Sequence, residues 1–381
     1  MKWEKKKLCE CTEYITDGDH QPAPKADKGV HFIKIKDIVN NQVSFDAQVY
    51  VPQEYYDNLP MERKPQKEDV LYTVVGSFGI PSYVQTDELF CFERNIALLH
   101  PNKDIEPRFL YYSLKNPAFY KGVEIVANGS AQKLIPLSKL KDLKISVPDK
   151  EAQHRIADIL SAYDNLIENN QKQIKLLEEA AQRLYKEWFV DLRFPGHENT
   201  KIVDGVPEGW IKEEIGKIIK KVHRTKQIVA SEYKDEGSIP IVDQSRAFVA
   251  GYTNDLEARV DFGIPVIVFG DHTRIVKLIQ FPFAKGADGT QLIISDCLEM
   301  PQRLLYCSIM NVDLSNYHYA RHFKYLKEEK IMIPTVKVAN EFENNVTGIF
   351  SKIQNCRDEI IRCQKTRDLL LPKLMSGEVK V

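Results

Sequence analysis

The stretch PDKEAQHRIADILSAYDNLIENNQKQIKLLEEAAQRLYKEWFV, residues 148–190, contains no glycine and no proline after its first residue. Its apolar residues recur at alternating spacings of four and three, the period at which one stripe keeps facing a partner helix. Pro148 and Asp149 favour a helix start, and Pro195-Gly196 favours its end. The stretch predicts a helix of about 40 residues, or roughly 60 Å, that needs a partner. The stripe consists of Ile156, Leu160, Tyr163, Ile167, Asn170, Ile174, Leu177, Ala181, Leu184 and Trp188.

The partner helix is predicted in the same chain, because the C-terminal stretch repeats the pattern 186 residues later. The lead-in repeats as well, since Lys144-Ile145 and Pro148 correspond to Lys330-Ile331 and Pro334. Two copies of one unit are indicated. The alternative is a single long helix, solvated on one side and packed on one domain. The second stripe consists of Phe342, Val346, Ile349, Ile353, Cys356, Ile360, Cys363, Arg367, Leu370 and Leu374.

The composition is that of an ordinary globular protein with room for two or more domains, at 381 residues, 43% hydrophobic and 28% charged. No apolar run is long enough to span a membrane, and the first residues are charged. Seven cysteines without regular spacing indicate a reducing compartment. These features predict a cytoplasmic protein. The net charge of −1 means that binding to nucleic acid would require local basic patches.

The regions before the two helices read as two copies of one strand-rich domain. Trp210 corresponds to Trp3, and the run Pro265 to Gly270 mirrors the run Val70 to Gly76. The scaffold positions repeat, whereas the loops between them do not. This is the pattern expected of duplication followed by divergence of a recognition surface, although simple loop drift is the plainer alternative.

The chain contains a series of short motifs, namely Ile145 to Pro148, Glu151-Ala152-Gln153, Ile156 to Leu160, Asp164, Ile167, Leu184-Tyr185, Pro207 to Trp210, Ala287 to Gln291 and Leu370 to Glu378. Together they resemble the motifs of specificity subunits from type I restriction-modification systems, and the resemblance spans the whole chain. The second copy departs from the pattern, with Val336 to Asn340 where the first copy has Glu151-Ala152-Gln153, and with Arg367 on the stripe.

The resemblance implies an α+β fold in which two pseudo-repeated globular target-recognition domains are joined by two long antiparallel helices that form an intramolecular coiled coil. Each domain would read one half of a split DNA target, and the helix pair would set the spacer. The implied partners are double-stranded DNA, two methyltransferase subunits and restriction subunits. No cofactor is expected in this chain, since the partners would use S-adenosylmethionine, ATP and Mg. The predicted divisions are residues 1–147, 148–194, 195–209, 210–335 and 336–381, as first recognition domain, central helix, linker, second recognition domain and C-terminal helix.

Sequence signals for catalysis are weak. Asn116-Pro117-Ala118-Phe119 approximates the loop of an adenine methyltransferase but lacks the second proline and a glycine-rich partner motif. Asp261-Phe262-Gly263 has no kinase context. His318 and His322 with Asp313, and the pair Cys9 and Cys11, are incomplete as metal sites. We therefore expect a non-catalytic chain without a metal, and a fused DNA-modifying enzyme is excluded because no stretch is left for another domain.

The candidates for DNA contact are loops in which polar side chains lie beside a basic residue. Polar side chains bind base edges, and basic side chains bind phosphates. For each residue the alternative is an ordinary surface or turn position. A protein scaffold with two binding modules on a helical strut is the alternative for the whole chain, supported by the near-zero net charge. The candidates are Ser77, Phe78, Tyr83, Asn128, Ser130, Gln132, Lys133, Gln244, Ser245, Arg246, Asp271, His272, Thr273, Arg274, Arg321, His322 and Lys324.

Overall fold

The computed structural model describes residues 2–39, 41–127, 133–223, 225–317 and 321–381. These residues form two compact units, of which unit 1 comprises 1–169 and 360–381 and unit 2 comprises 170–359. The two long helices are therefore each divided between the units. The domain limits expected from the sequence stay a prediction.

Unit 1 combines short strands with helices that pack beside them. Its elements are β1 (Glu4–Lys7), α1 (Leu8–Cys11), β2 (Thr12–Asp17), β3 (Val30–Ile33), β4 (Ile38–Val39), β5 (Gln42–Val43), β6 (Tyr50–Val51), α2 (Gln53–Asp57), β7 (Val70–Thr73), β8 (Pro81–Tyr83), β9 (Phe90–Phe92), β10 (Ile96–Pro101), α3 (Pro107–Lys115), α4 (Pro117–Val126), α5 (Leu137–Asp142), β11 (Lys144–Val147) and the first part of α6 (Lys150–Tyr185).

Unit 2 is built from the same kinds of element. After α6 the helix continues as a π-helical turn over Lys186–Val190. The later elements are β12 (Ile202–Val203), β13 (Val206–Pro207), β14 (Ile211–Glu214), β15 (Gln227–Ile228), β16 (Ile239–Val242), β17 (Gly251–Thr253), β18 (Arg259–Val260), β19 (Val266–Gly270), β20 (Val276–Ile279), β21 (Phe283–Gly286), β22 (Thr290–Ile293), α7 (Gln302–Met310), α8 (His322–Glu328), β23 (Lys330–Ile333) and α9 (Val336–Ser376), which ends in unit 1.

The strand pairings repeat between the two units. In unit 1, β7 lies antiparallel to both β10 and β8, and β3 pairs antiparallel with β6 and parallel with β9. In unit 2, β19 lies antiparallel to β22 and β20, and β16 pairs antiparallel with β17 and parallel with β21. The strands that enter the long helices, β11 and β23, each pair with the first strand of their domain. The predicted duplication is thus confirmed as a repeat of topology.

The helix pair is packed within each unit. In unit 1, Ile156 and Leu160 of α6 share a core cluster with Leu371 and Leu374 of α9. In unit 2, Phe342 of α9 is fully buried, with its ring centroid 5.7 Å from that of Trp188. Burial of such side chains stabilises the fold by roughly 1.5–3 kcal/mol each. The described positions of both predicted stripes are buried or half-buried.

The helices run antiparallel in unit 2, as the order of their polar contacts shows. Asn170 Nδ2 donates to Glu359 Oε2 at 2.9 Å, and Arg357 donates to Glu178 at 2.8 Å, so residue numbers rise on one helix as they fall on the other. The α+β fold with a paired antiparallel helix is confirmed.

Two local predictions need adjustment. The sequence predicts one alternating strand from Phe32 to Lys36, but β3 ends at Ile33 because the Asp37 carboxylate accepts the Lys34 N–H at 2.9 Å and turns the chain into a 3-10 helix. The sequence also predicts a linker over 195–209, and this segment contains the small hairpin β12–β13. Asp204 and Gly205 at its tip have φ values of 49° and 72°, as a tight hairpin turn requires.

Candidate nucleic-acid interface

Unit 2 contains a cleft of about 1010 Å³ beside the turn that joins β21 to β22. Its walls are residues 219–223, Thr225 and Gln227, the strand end at Lys285, the turn residues Asp288 and Gly289, and the start of α8. We call it the unit 2 cleft. Among the described residues, five cationic side chains line it, namely Lys220, Lys221, Lys285, Arg321 and Lys327.

The charge of the unit 2 cleft is poorly balanced by the protein. Lys220 lies 3.7 Å from Asp296, but among the described residues no carboxylate lies within 4.0 Å of the charged groups of Lys221, Lys285 or Arg321. Burial lowers the pKa of Lys285, and the Asp288 carboxylate only partly opposes this effect. An incoming anion would therefore stabilise these cations.

In the described part of the chain, two acidic residues line the cleft, of which Asp271 is already hydrogen-bonded and Asp288 is exposed. Asp271 is buried and its Oδ1 accepts the Phe323 N–H at 2.8 Å, while its backbone oxygen accepts the His322 N–H at 3.0 Å. The carboxylate thus satisfies a donor in the first turn of α8, where a helix leaves its N–H groups unpaired. Asp271 orients the helix that carries Lys327 and begins directly after Arg321.

The turn 271–274 presents one free side chain to the cleft and uses the others internally. His272 is exposed and lines the cleft. Thr273 Oγ1 donates to the Gln244 backbone oxygen at 2.7 Å, and Arg274, with φ of 60°, donates to the Leu314 oxygen at 2.9 Å. His322 is buried, and burial with the nearby Arg274 lowers its pKa.

The turn after β16 contributes residues with different exposures. Ser245 donates through its backbone N–H and its hydroxyl to Asp243 Oδ1, at 2.9 and 2.6 Å. Gln244 is half-buried and bonded to two neighbouring turns, whereas Arg246 is exposed. Lys324 on α8 is also exposed, with its amine 5.9 Å from the Tyr325 ring centroid.

In unit 1 the structure brings Phe78 and Lys133 together. The Phe78 ring stacks on Tyr120 with a centroid distance of 5.8 Å, and the Lys133 amine lies 5.4 Å from the Phe78 centroid. The Gly76 N–H donates to the Lys133 oxygen at 3.2 Å, and Ser77 is exposed in the same turn. A half-buried aromatic ring beside a cation suits stacking on a base and contact with a phosphate.

Tyr83 occupies a different setting, at the end of β8 that pairs with Val70. It packs against α3, where the Arg108 guanidinium lies 5.3 Å from its ring centroid, and burial raises its pKa to about 12. Its role in DNA contact stays a prediction. The candidates Asn128, Ser130 and Gln132 lie outside the described residues, as does His318 of the incomplete metal-site pattern.

Unit 1 has a smaller cleft of about 460 Å³ in the equivalent place, beside the turn 93–95 that joins β9 to β10. We call it the unit 1 cleft. It is lined by Lys25, Lys34 and Arg94, none of which lies within 4.0 Å of a carboxylate among the described residues. Its acids are engaged elsewhere, because Asp19 accepts from Arg63 at 3.3 Å and Glu93 accepts the Ile35 N–H at 2.7 Å.

The sequence did not single out most of these cations. Lys221, Lys285 and Lys327 in unit 2, with Lys34 and Arg94 in unit 1, carry no local pattern that separates them from surface residues. The available signals were the adjacent pair Lys220-Lys221 and the motif Ala287 to Gln291, whose turn forms one wall of the unit 2 cleft.

No metal centre emerges from the described part of the chain, where no group of three His, Cys, Asp or Glu side chains is placed to hold an ion. Within the same described part, no helix is long and apolar enough to cross a membrane.

The repeated fold and the two clefts define a class of protein with two related binding modules on one shared helix pair. Residues 1–179 match the family model for the type I restriction modification DNA specificity domain. The MjaIX specificity subunit of Methanocaldococcus jannaschii is 29% identical over 316 residues, which cover 76% of this chain and 72% of that protein. The HindI specificity subunit of Haemophilus influenzae is 29% identical over 42% of this chain and 36% of its own length.

A solved structure has a similar fold. The crystal structure of a type I restriction-modification S subunit from M. genitalium superposes with a TM-score of 0.59 at 17% sequence identity, covering 98% of this chain and 96% of that one. Residues 1–179 are thus similar to the DNA specificity domain of type I restriction-modification systems, and the chain shares its fold with that S subunit.

Proposed function

We propose that this chain is a sequence-specific DNA-recognition subunit that reads a bipartite target through its two recognition domains, with the helix pair setting the spacer. The observation that carries the proposal is the unit 2 cleft, where Lys221, Lys285 and Arg321 have no carboxylate within 4.0 Å among the described residues. Phosphates of a DNA backbone supply the missing negative charge. The scaffold alternative gives no reason to gather such cations in one cleft.

The chain acts in this proposal as a subunit of a complex. It assembles with two methyltransferase subunits and with restriction subunits, and it binds no cofactor itself. Methyl transfer and DNA cleavage, with S-adenosylmethionine, ATP and Mg, belong to the partners. Two features support a non-catalytic chain: Asp271, one of the two cleft acids, is used to orient α8, and the cations are suited to bind rather than to react.

The salt dependence of DNA binding tests the role of the unit 2 cleft. The complex of the chain with its methyltransferase is titrated with duplex DNA at several salt concentrations. The wild type is compared with the triple variant that carries Lys221→Gln, Lys285→Gln and Arg321→Gln. Each phosphate contact contributes about 0.9 to the slope of log affinity against log salt concentration, so the triple variant should lower that slope by roughly 3.

The matched control is Arg259→Gln, because Arg259 is an exposed cation of unit 2 that is paired with Asp261 at 3.0 Å and does not line the cleft. Its slope should equal that of the wild type. A triple variant with an unchanged slope would show that the cleft does not bind DNA, and a wild-type complex that binds no DNA would remove the proposed function.

A further inference from the structure

Three turns of unit 2 meet at the side chain of Gln244. Its Nε2 donates to the Asp288 backbone oxygen at 2.8 Å, and its Oε1 accepts the His272 N–H at 3.1 Å. The Gln244 backbone oxygen accepts Thr273 Oγ1 at 2.7 Å. One residue thus joins the turn after β16 to the turn 271–274 and to the turn 287–289.

The fit around Gln244 is tight. A Cβ added at Gly289 would lie 2.6 Å from Gln244 Nε2 and 2.7 Å from His272 Cδ2, and Gly289 has a φ of 84°. A Cβ at Gly270 would lie 2.9 Å from Gln244 Cβ. Two glycines therefore make room for the junction, and one of them also has a backbone conformation that other residues rarely adopt.

A buried cation binds the turn that carries Gln244. Lys277 on β20 is 5% exposed and donates to the Asp243 oxygen at 2.8 Å and to the Ala247 oxygen. The carbonyls that bracket residues 244–246 are therefore fixed to the sheet. Tyr233 adds a further tie, because its hydroxyl donates to Asp243 Oδ2 at 3.3 Å and accepts the Ala287 N–H at 3.1 Å.

Unit 1 joins the corresponding turns with a different residue. There the Glu93 carboxylate, in the turn after β9, accepts the Ile35 N–H from the turn after β3 at 2.7 Å. In unit 2 the link runs the other way, from Gln244 after β16 to the turn after β21. Both copies therefore have a hydrogen bond between the corresponding turns, made by a carboxylate in unit 1 and by an amide in unit 2. Such a repeat is expected of a bond that holds the turns in place.

We propose that Gln244 is a positioning residue for DNA recognition: it holds the turns that present His272 and the wall of the unit 2 cleft, and it does not contact a base itself. The inference rests on the proposed function. A glutamine that reads an adenine does so through both groups of its amide. In this structure the Gln244 amide is already bonded through both.

The test compares base discrimination in the complex of the full chain with its methyltransferase. The target is first read from DNA methylated by the wild-type complex, and each base pair of both half-sites is then changed in turn in synthetic duplexes. In Gln244→Ala, discrimination should fall by about tenfold at several positions of one half-site together, because whole turns move, and should persist in the other half-site.

Hydrogen exchange gives a second measurement on the same variant. Peptides covering residues 271–274 and 287–290 should exchange faster in Gln244→Ala, while β19 keeps its protection and so reports an intact fold. The contrast variant is Arg246→Gln, on the same turn but exposed, in which those peptides should exchange as in the wild type.

The outcomes separate this inference from the proposed function. If Gln244→Ala lost discrimination at a single base pair of the target while hydrogen exchange in both turns stayed unchanged, Gln244 would read a base. This outcome would overturn the inference alone. Unchanged discrimination at every position would overturn it as well. A wild-type complex without sequence preference would overturn the proposed function and this inference with it.

Discussion

At the scale of single residues, buried polar groups shape the recognition turns more than exposed ones do. Lys277 and Asp271 are buried and Asp243 is half-buried, and each is hydrogen-bonded to backbone groups of unit 2. A buried donor or acceptor that loses its partner costs about 1–3 kcal/mol, so these residues hold their turns firmly.

The stability of the chain should depend on pH through Lys277. Burial lowers the pKa of its amine from 10.5 to about 8, against the opposing Asp243 carboxylate. Between these two values the unfolded state binds more protons than the folded state, so stability rises as the pH increases from about 8 to about 10.5. We expect the wild type to gain up to about 3 kcal/mol over that window relative to Lys277→Met.

Urea unfolding of both proteins across this pH range measures the difference directly. Below pH 8 the amine is protonated in both states and the difference between the proteins should be flat. If the free energies of unfolding of the two proteins changed in parallel over the whole pH range, the pKa of the buried amine would not be lowered.

Residue identity alone predicts part of the candidate interface. Phe78 and Lys133 are both candidates from the sequence, but their contact depends on the bridge between Val75 and Leu134, which closes a loop that no local pattern specifies. Gln244 is a candidate reader because its amide suits a base edge, and only its bonds to Asp288 and His272 indicate another role.

At the scale of elements, the heptad stripes predict the helix pair because burial of one face results directly from the period. The helices also bury residues outside the stripes, such as Ala157, Phe350 and Met375, since each helix packs on a domain as well as on its partner. The sequence could not show this second contact, because it depends on how the strands place the domain core.

Arg367, a charged residue on the second stripe, is accommodated by a network within unit 1. Its guanidinium donates to Asp164 Oδ1 at 2.5 Å and to Asp368, and Asp164 Oδ2 accepts the Tyr112 hydroxyl at 2.6 Å. Burial acts to lower the pKa of Arg367, yet the two carboxylates raise it overall. The network links α9, α6 and α3.

Removing one partner of this network should be costly. Asp164→Ala removes a carboxylate that pairs with the largely buried Arg367 guanidinium. We expect a loss of about 3 kcal/mol in the free energy of unfolding. Adding Arg367→Leu should recover roughly 1–3 kcal/mol, because the stripe then carries an apolar residue. A double-mutant cycle measures the coupling, and strictly additive effects would contradict it.

Helix length should set the spacer between the half-sites. Four residues inserted into each helix, at the level of Asn170 and Glu359, lengthen the pair by ~6 Å, comparable to about two base pairs, and also rotate the helix beyond the insertion. We expect the methylated motif to gain about two base pairs of spacer with both half-sites unchanged. Altered half-sites with the original spacer would contradict the prediction that helix length sets the spacer.

At the scale of the whole molecule, duplication explains why one chain contains two modules of the same topology with different clefts. The parallel pairs β3–β9 and β16–β21 are matched strand for strand. The clefts beside them differ in volume, about 460 and 1010 Å³, and in their cations. A scaffold held constant under loops that diverge is suited to recognise two unlike half-sites.

The most direct measurement is methylome sequencing of cells that express this chain with its neighbouring methyltransferase, as wild type and as the triple variant Lys221→Gln, Lys285→Gln and Arg321→Gln. The account predicts a split, adenine-methylated motif in which the variant loses or relaxes only one half. A folded, partner-bound chain that directs no sequence-specific methylation would contradict it.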